Sequence, residues 1–324
     1  VLDILQRPSP ARDPQREWEE LQAHGIRLLC LGDGDYPANL TVIPDPPAVL
    51  FIQGALEPRD LLAVAVVGSR AASPVGMAFT ERLCADLARH GVTIVSGLAV
   101  GIDGSAHRGA VNARGRTIAV LGCGLDVDYP RSNRGLRDRI RASGALMTEF
   151  LLGTLPEPGH FPARNRIISG LSLGVLVVEA ASRSGSLITA RLALEQGREV
   201  FAVPGMARHY RSIGPHRLLR EGAKLVEGAE DILEEILPLV RVSVPAPDAS
   251  PAVPAFQAPA GPREENEEEG AVMKLLRGEP LHVDDIARAL QWPITRVLTI
   301  LLSLELDGKV HSLPGKYYTQ GAGR

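Results

Sequence analysis

Six short apolar segments, each closed by a small-residue loop, limit how this chain can fold more than any other feature. "LLAVAVVG", "GVTIVSG", "RTIAVLG", "GALMTEF", "LGVLVVEA" and "REVFAVPG" follow one another between residues 61 and 205. They lack the polar alternation of a half-exposed strand, so they read as parallel strands buried on both faces. Between them lie amphipathic stretches such as "VGMAFTERLCADLARHG" and "DGSAHRGAVNARG", which read as helices. Strands alternating with helices predict an α/β fold with a doubly wound, mostly parallel sheet.

The flanks differ in character. Residues 1–60 read as an N-terminal segment: a helix around "PQREWEELQAHG", a strand "IRLLCL", and the extended "IPDPPAVLFIQG". Proline removes backbone donors and pushes its neighbours toward extended conformations, so this last stretch is not a helix. The sequence begins at Val1 rather than Met, which leaves room for an upstream domain of which this segment is the remainder and the lead-in to the core. The core is expected over 61–237. Residues 238–266, rich in Pro and Ala and ending in an acidic run, read as a linker. Over 267–324, three helical patterns and a closing hairpin, "KVHSLPGKYYTQ", outline a small winged helix. Its last helix, "ITRVLTILLSLELDG", offers Arg296 but otherwise mostly apolar or acidic residues. That is poor material for reading a major groove, and packing or protein contact suits it better.

Composition excludes some classes of function. The 324-residue chain carries a net charge of −3, so nucleic acid can be held only by a local gathering of arginines. No stretch of about 18 uncharged apolar residues occurs, so no membrane insertion is expected. Cys30, Cys84 and Cys123 show no metal-ligand spacing and suit inert thiols in a reducing cytoplasm. No metal or cofactor is expected.

The chemistry is expected where strands end, because a doubly wound sheet binds ligands at the carboxyl ends of its strands. Helix N-termini there present free N–H groups suited to phosphate. The first loop, "VVGSRAASPVG", lacks the Gly-x-Gly-x-x-Gly of a dinucleotide site, and the second strand ends in Ser96-Gly97 without a ribose-binding acid. What it offers is Gly68, Ser69 and Arg70, whose guanidinium can give phosphate two parallel hydrogen bonds. In "HFPARNRIISGLS", Arg164, Asn165 and Arg166 bracket an expected helix start, with Phe161 just before it. Arginine, amide and aromatic ring can serve phosphate, base edge and base face. "SRSGS" at 182–186 is a third phosphate-friendly turn, following Glu179. Asp103 and His107 stand at helical spacing but have no nucleophile or metal companion, so they read as structural, with Asp103 suited to a helix cap. Asp126 and Asp128 read as turn residues. No catalytic set assembles from these groups.

In series, "GSR" (68–70), "SGLAVGID" (96–103), "GLDVDYP" (124–130), "FPARNRIISGLS" (161–172), "VVEAASRSGSLITA" (177–190) and "VFAVPG" (200–205) resemble the DNA-processing protein A family, also called Smf. The resemblance implies an extended Rossmann core that binds single-stranded DNA, a cytoplasmic homodimer, and delivery of the strand to RecA in natural transformation against single-strand-binding protein. By position it implies Arg70 as a principal phosphate contact and Arg164 and Arg166 as added charge. Asn165 would give polar contacts, and Gly97, Ser184, Gly185 and Ser186 would be donors around the pocket. Val100 stands where the family commonly has arginine. Ile232, Leu233 and Ile236 lie at helical spacing and suit either core or a dimer contact. The rival reading is a Rossmann-like nucleotide phosphoribohydrolase, but the Ser184-Gly185-Ser186 loop lacks that chemistry's downstream carboxylates and leaves only Glu179. A transcription regulator would rest on the winged helix alone.

Overall fold

A computed structural model describes residues 14–243 and, further on, 267–276, 280–292, 296–297, 300–301, 304–305, 309–313 and 317–320. These fall into two compact units. The first is built on a nine-stranded sheet. In chain order its elements are α1 (Pro14–Ala23), β1 (Arg27–Cys30), α2 (Ala38–Thr41), β2 (Val49–Gly54), β3 (Ala63–Val67), α3 (Pro74–Arg89), β4 (Thr93–Ser96) and α4 (Ile102–Asn112). There follow β5 (Thr117–Val120), α5 (Arg134–Ser143), β6 (Ala145–Thr148), α6 (His160–Gly170), β7 (Gly174–Val177), α7 (Gly185–Glu195), β8 (Glu199–Ala202), α8 (Ile213–Arg220), β9 (Lys224–Leu225) and α9 (Ala229–Ser243).

The spatial order is β1-β2-β6-β5-β4-β3-β7-β8-β9. Strands β3 to β9 pair in parallel, with Val66 opposite Leu176 at the centre. The six apolar runs are these central strands. Their continuous hydrophobicity follows from burial on both sides: Ala63, Ala65 and Val67 pack into one core layer, Val64 and Val66 into the other. Helices α6, α7 and α8 cover the first face through Ile167, Ile168, Ala190, Ala193 and Leu218. Helices α3, α4 and α9 cover the second through Leu83, Leu87, Ile102, Ala106 and Ile232.

Two sequence expectations change here. The first 60 residues are not apart from the core: β2 pairs antiparallel with β6, and β1 with β2, so a boundary at residue 60 would fall within one sheet. Ile232, Leu233 and Ile236 of α9 are interior to a single chain, packed with Leu176 and Phe201. The face they form is already covered by the sheet, so they present no dimer surface. Cys84 and Cys123 are buried, whereas Cys30 is exposed. Of the expected linker, residues 238–243 continue α9 and 244–266 lie outside the described residues.

The second unit contains α10 (Glu267–Leu275), β10 (Leu281–His282), α11 (Val283–Leu290), β11 (Val310–Leu313) and β12 (Tyr317–Gln320). Its three-stranded antiparallel sheet runs β10-β12-β11, and Val272, Ile286, Val297, Leu301, Leu304 and Val310 form its core. The expected last helix falls on residues that are only partly described. No described helix is long and apolar enough to cross a membrane.

One polar network fixes the lower end of the sheet. Arg116, at the start of β5, gives Asp60 two hydrogen bonds of 2.7 Å. Asp60 also accepts from Thr93 Oγ1 at the start of β4 and from the Glu57 backbone N–H, both at 2.8 Å. The Arg116 and Asp60 side chains are each only 10% exposed. Removing one member of such a pair leaves a buried charge without its partner. Asp60→Ala is therefore expected to lower the unfolding free energy by roughly 3 kcal/mol, read from urea denaturation. A loss under about 1 kcal/mol would mean the pair behaves like an exposed one.

Candidate nucleic-acid interface

The chain leaves β3 toward β4 on one side and β7 toward β8 on the other. The loops after these adjacent strands therefore diverge and open a crevice at the point where the winding reverses. A cleft of about 490 Å³ occupies it, walled by residues 67–71 after β3, 181–189 after β7, and one side of α6.

Gly68, Ser69 and Arg70 form the first wall. Gly68 has its own reason to lack a side chain: a Cβ would stand 2.6 Å from Ile102 Cγ1. Ser69 Oγ accepts from the Ala71 N–H at 3.2 Å and tightens the turn. Arg70 is exposed, and its guanidinium carbon lies 4.9 Å from the Phe161 ring centroid. No ion pair engages Arg70 among the described residues. Phe161 sits at the second position of α6, half-buried, with the Tyr129 ring 5.8 Å away. Its ring aligns an arginine by a cation–π contact while keeping an edge toward the cleft.

Arg164, one turn further along α6, does something different. It is only 4% exposed. Nη1 donates to the Gly97 carbonyl at 3.0 Å and to the Val120 carbonyl, and Nε donates to Asn165 Oδ1 at 3.3 Å. Gly97 makes the room: a Cβ there would lie 2.5 Å from the guanidinium. Burial lowers the Arg164 pKa to about 10, partly offset by Asp103, and the group stays charged at neutral pH. Asp103, 7% exposed, is the nearby carboxyl that opposes this shift, without a salt bridge to Arg164 among the described residues. Burial raises the Asp103 pKa, against the opposing pull of Arg164, the backbone N–H groups of Ala99 and Gly97, and Arg70. Asp103 is not the helix cap: that position belongs to Gly101, whose φ of 82° suits glycine and whose Cβ would strike the Ser69 carbonyl at 2.3 Å.

The third wall is the start of α7. Ser184 caps this helix, accepting from the Ser186 N–H at 3.4 Å, and the two hydroxyls lie 2.8 Å apart. Gly185 is exposed and no neighbour crowds it, so its backbone N–H faces open space at a helix N-terminus. Beside it stands Arg183, exposed and without an ion pair among the described residues. Glu179 lies behind this wall. Its two oxygens accept from Ser73 N (2.8 Å) and Ser73 Oγ (2.5 Å), and Arg211 stands 3.8 Å away. Because Ser73 caps α3, Glu179 ties the end of β7 to the start of that helix.

Gly68, Ser69, Arg70, Phe161, Arg164, Asn165, Ser184, Gly185 and Ser186 all line this one cleft, with Gly97 just beneath its floor. Arg166 does not. Residues 164–166 lie in the middle of α6 rather than at its start, and Arg166 points to the other side. There it pairs with Glu149 at 2.6 Å and Asp45 at 3.0 Å. Sequence reasoning left out Arg183, although its place between two serines in a loop after an apolar strand was visible. Asp103 is the one carboxylate among the lining residues. Asp126 is a turn residue and accepts from Gly153 N at 2.9 Å, whereas Asp128 lies beyond the turn and pairs with Arg134. Among the described residues no cluster of His, Cys, Asp and Glu could hold a metal.

Residues 27–237 match the family model described as DNA recombination-mediator protein A, and residues 256–316 match the DprA winged helix domain. The chain belongs to the DNA recombination-mediator protein A (DprA/Smf) family. It is 46% identical over 301 residues to Protein Smf of Escherichia coli K12, covering 93% of this chain and 78% of that one. With DNA processing protein DprA of Streptococcus pneumoniae it shares 49% identity over 203 residues, 63% of this chain and 72% of the relative. The X-ray structure of the pneumococcal protein superposes with a TM-score of 0.63 at 44% identity, covering 72% of this chain and 84% of that one. A structure of Helicobacter pylori DNA processing protein A, described for its single-stranded DNA binding mode, gives 0.58 at 30% identity, covering 66% and 96%. The chain thus has an extended Rossmann-like core and a C-terminal winged-helix domain.

Behind the cleft, the α4 residue His107 is fully buried. Nδ1 lies 2.7 Å from Thr117 Oγ1, and Nε2 has no hydrogen-bond partner among the described residues. Burial lowers its pKa to about 3, helped by Arg164 and Arg108. The unfolded chain, with an ordinary histidine value near 6.5, then binds protons that the folded protein refuses. Stability is full above that value and falls as pH drops toward the folded value. Between about pH 6.5 and 5 the loss from this group is about 2 kcal/mol. In His107→Gln this part of the acid sensitivity disappears. Urea midpoints at the two pH values compare them, and equal slopes for both proteins would contradict the assignment.

Proposed function

We propose that this protein binds single-stranded DNA in the cleft between the β3 and β7 loops and acts as a recombination mediator rather than a catalyst. The observation that carries the reading is the pair Arg70 and Arg183. Both are exposed at the rim of one cleft, in no ion pair among the described residues, beside a helix N-terminus and the Phe161 ring. Guanidinium groups and N–H donors suit phosphates, and an aromatic ring suits a base face. An unpaired strand, with its bases free, can lay phosphates along one wall of this crevice and a base against the ring.

Arg164 supports the site without touching the strand. Buried and spent on the carbonyls of Gly97 and Val120, it shapes the floor and adds positive potential from below. The carboxylates support a non-catalytic role. Asp103 is the one carboxylate among the cleft's lining residues, with no second one to share acid–base work, and Glu179 is engaged through both oxygens.

Membership of the DprA/Smf family extends the reading to physiology. The strand would be passed to RecA and shielded from single-strand-binding protein, in natural transformation or in repair. The working form would be a cytoplasmic homodimer, with a dimer surface other than Ile232, Leu233 and Ile236. Residues 256–316, which match the winged helix, would serve a protein partner or packing more than a duplex groove.

Arg70→Ala and Arg183→Ala are each expected to weaken binding of a labelled single-stranded oligonucleotide on the order of tenfold. Each should also flatten the dependence of log affinity on log salt by about 0.7 for the lost phosphate contact. Arg166→Ala, whose guanidinium is already committed, should leave the salt slope as it is. Fluorescence anisotropy across a salt series reads all three. An unchanged slope in both Arg70→Ala and Arg183→Ala would rule out this cleft.

A further inference from the structure

The segment after β8, "PGMARHYRS" (204–212), is not part of the cleft described above, yet it interleaves basic and aromatic residues at the cleft's edge. We propose that it is a base-stacking extension of the site, with Tyr210 as the stacking ring, over which a bound strand leaves the phosphate cleft. This rests on the cleft holding a single strand and adds where the bases go.

Arg211 joins the segment to the cleft. Its Nε donates to the Ala71 carbonyl at 2.8 Å, and its own carbonyl accepts from Ala180 N at 2.8 Å. Ala71 belongs to the first wall and Ala181, next to Ala180, to the third. One residue is thus fastened to both loops that define the crevice, and Glu179 stands 3.8 Å from its guanidinium. The neighbouring Tyr210 is placed by that anchorage rather than left to wander.

Tyr210 has no core to fill. It is 52% exposed, in a segment pinned to both cleft walls by Arg211. The Arg211 guanidinium lies 4.7 Å from its centroid, and the His209 ring 4.9 Å away at 32°. A cation over one part of the ring and an imidazole beside it make a small polarised platform, the arrangement that accepts a nucleobase without regard to its identity. Arg208, exposed, is held at a φ of 62° and adds a charge on the outer side. Beneath the segment lies a second cavity of about 630 Å³, with Phe79, Val203 and Met206 among its walls. Of its two carboxylates, Glu179 is already engaged and Glu227 is exposed, and the apolar walls at Phe79, Val203 and Met206 suit the face of a base.

The test uses single-stranded oligonucleotides that carry one abasic residue at successive positions, compared with the intact strand. For the wild-type protein, one position should cost on the order of tenfold in affinity, the value of one stacked base. Tyr210→Ala should bind the intact strand at that weaker level and no longer distinguish the abasic one. Tyr210→Phe should keep the distinction. Tyr210→Ala binding the intact strand as tightly as wild type overturns the proposal, as does a photo-cross-linkable 5-iodouracil strand that never labels residues 204–212. Failure of the cleft itself looks different: Arg70→Ala would then leave every affinity unchanged, whatever Tyr210 does.

Discussion

The cleft depends on one buried cation. Arg164 is nearly sealed from solvent, yet it holds carbonyls from two different strand ends, those of Gly97 and Val120, and faces Asp103 on a third element. A buried charge contributes little net stability, but removing the groups that satisfy it is costly because the charge is left without compensation. What Arg164 supplies is arrangement. The turn after β4, the end of β5, the first turn of α4 and the middle of α6 must be in register for the guanidinium to be satisfied. Gly97 is the complement, since any side chain there would occupy the guanidinium's place. The exposed face of the cleft can then carry free arginines, because its floor does not rely on them.

That division also explains how a chain of net charge −3 can present a basic site. Most arginines of the core are committed: Arg116 to Asp60 and Glu57, Arg166 to Glu149 and Asp45, Arg211 to the Ala71 carbonyl. At the switch point the two exposed guanidinium groups escape this pairing, and Phe161 holds one of them by its ring rather than by a carboxylate. Overall charge therefore says little about the local field.

The central sheet was legible in the sequence because two-sided burial writes itself as continuous apolar runs. The edge was not. Strands β1 and β2 join through antiparallel pairing to β6, a register that depends on tertiary placement and leaves no periodic mark. The same limit governs the site. Glycine and serine turns after strands were readable, because few other residues allow such loops, and they do converge. "Arg-Asn-Arg" at 164–166 was readable only as a cluster. Once it lies inside a helix at 3.6 residues per turn, positions 164 and 166 face nearly opposite ways. One arginine supports the cleft floor and the other clamps Glu149. The hydrophobic spacing of Ile232, Leu233 and Ile236 was equally ambiguous, since a helix stripe looks the same whether a sheet or a second subunit covers it.

Glu179 brings these strands of argument together. In sequence it is the one acid near a phosphate-friendly turn, and so the natural candidate for chemistry. In the fold it accepts from both the N–H and the hydroxyl of Ser73, which caps α3, while Gly76 leaves it space: a Cβ there would lie 2.6 Å from its oxygen. This carboxylate has both oxygens engaged, stands beside Arg211 and is not among the residues that line the cleft. Its effect is to lock the β3 and β7 loops at a fixed separation. The spacing of the two cleft walls follows from that separation.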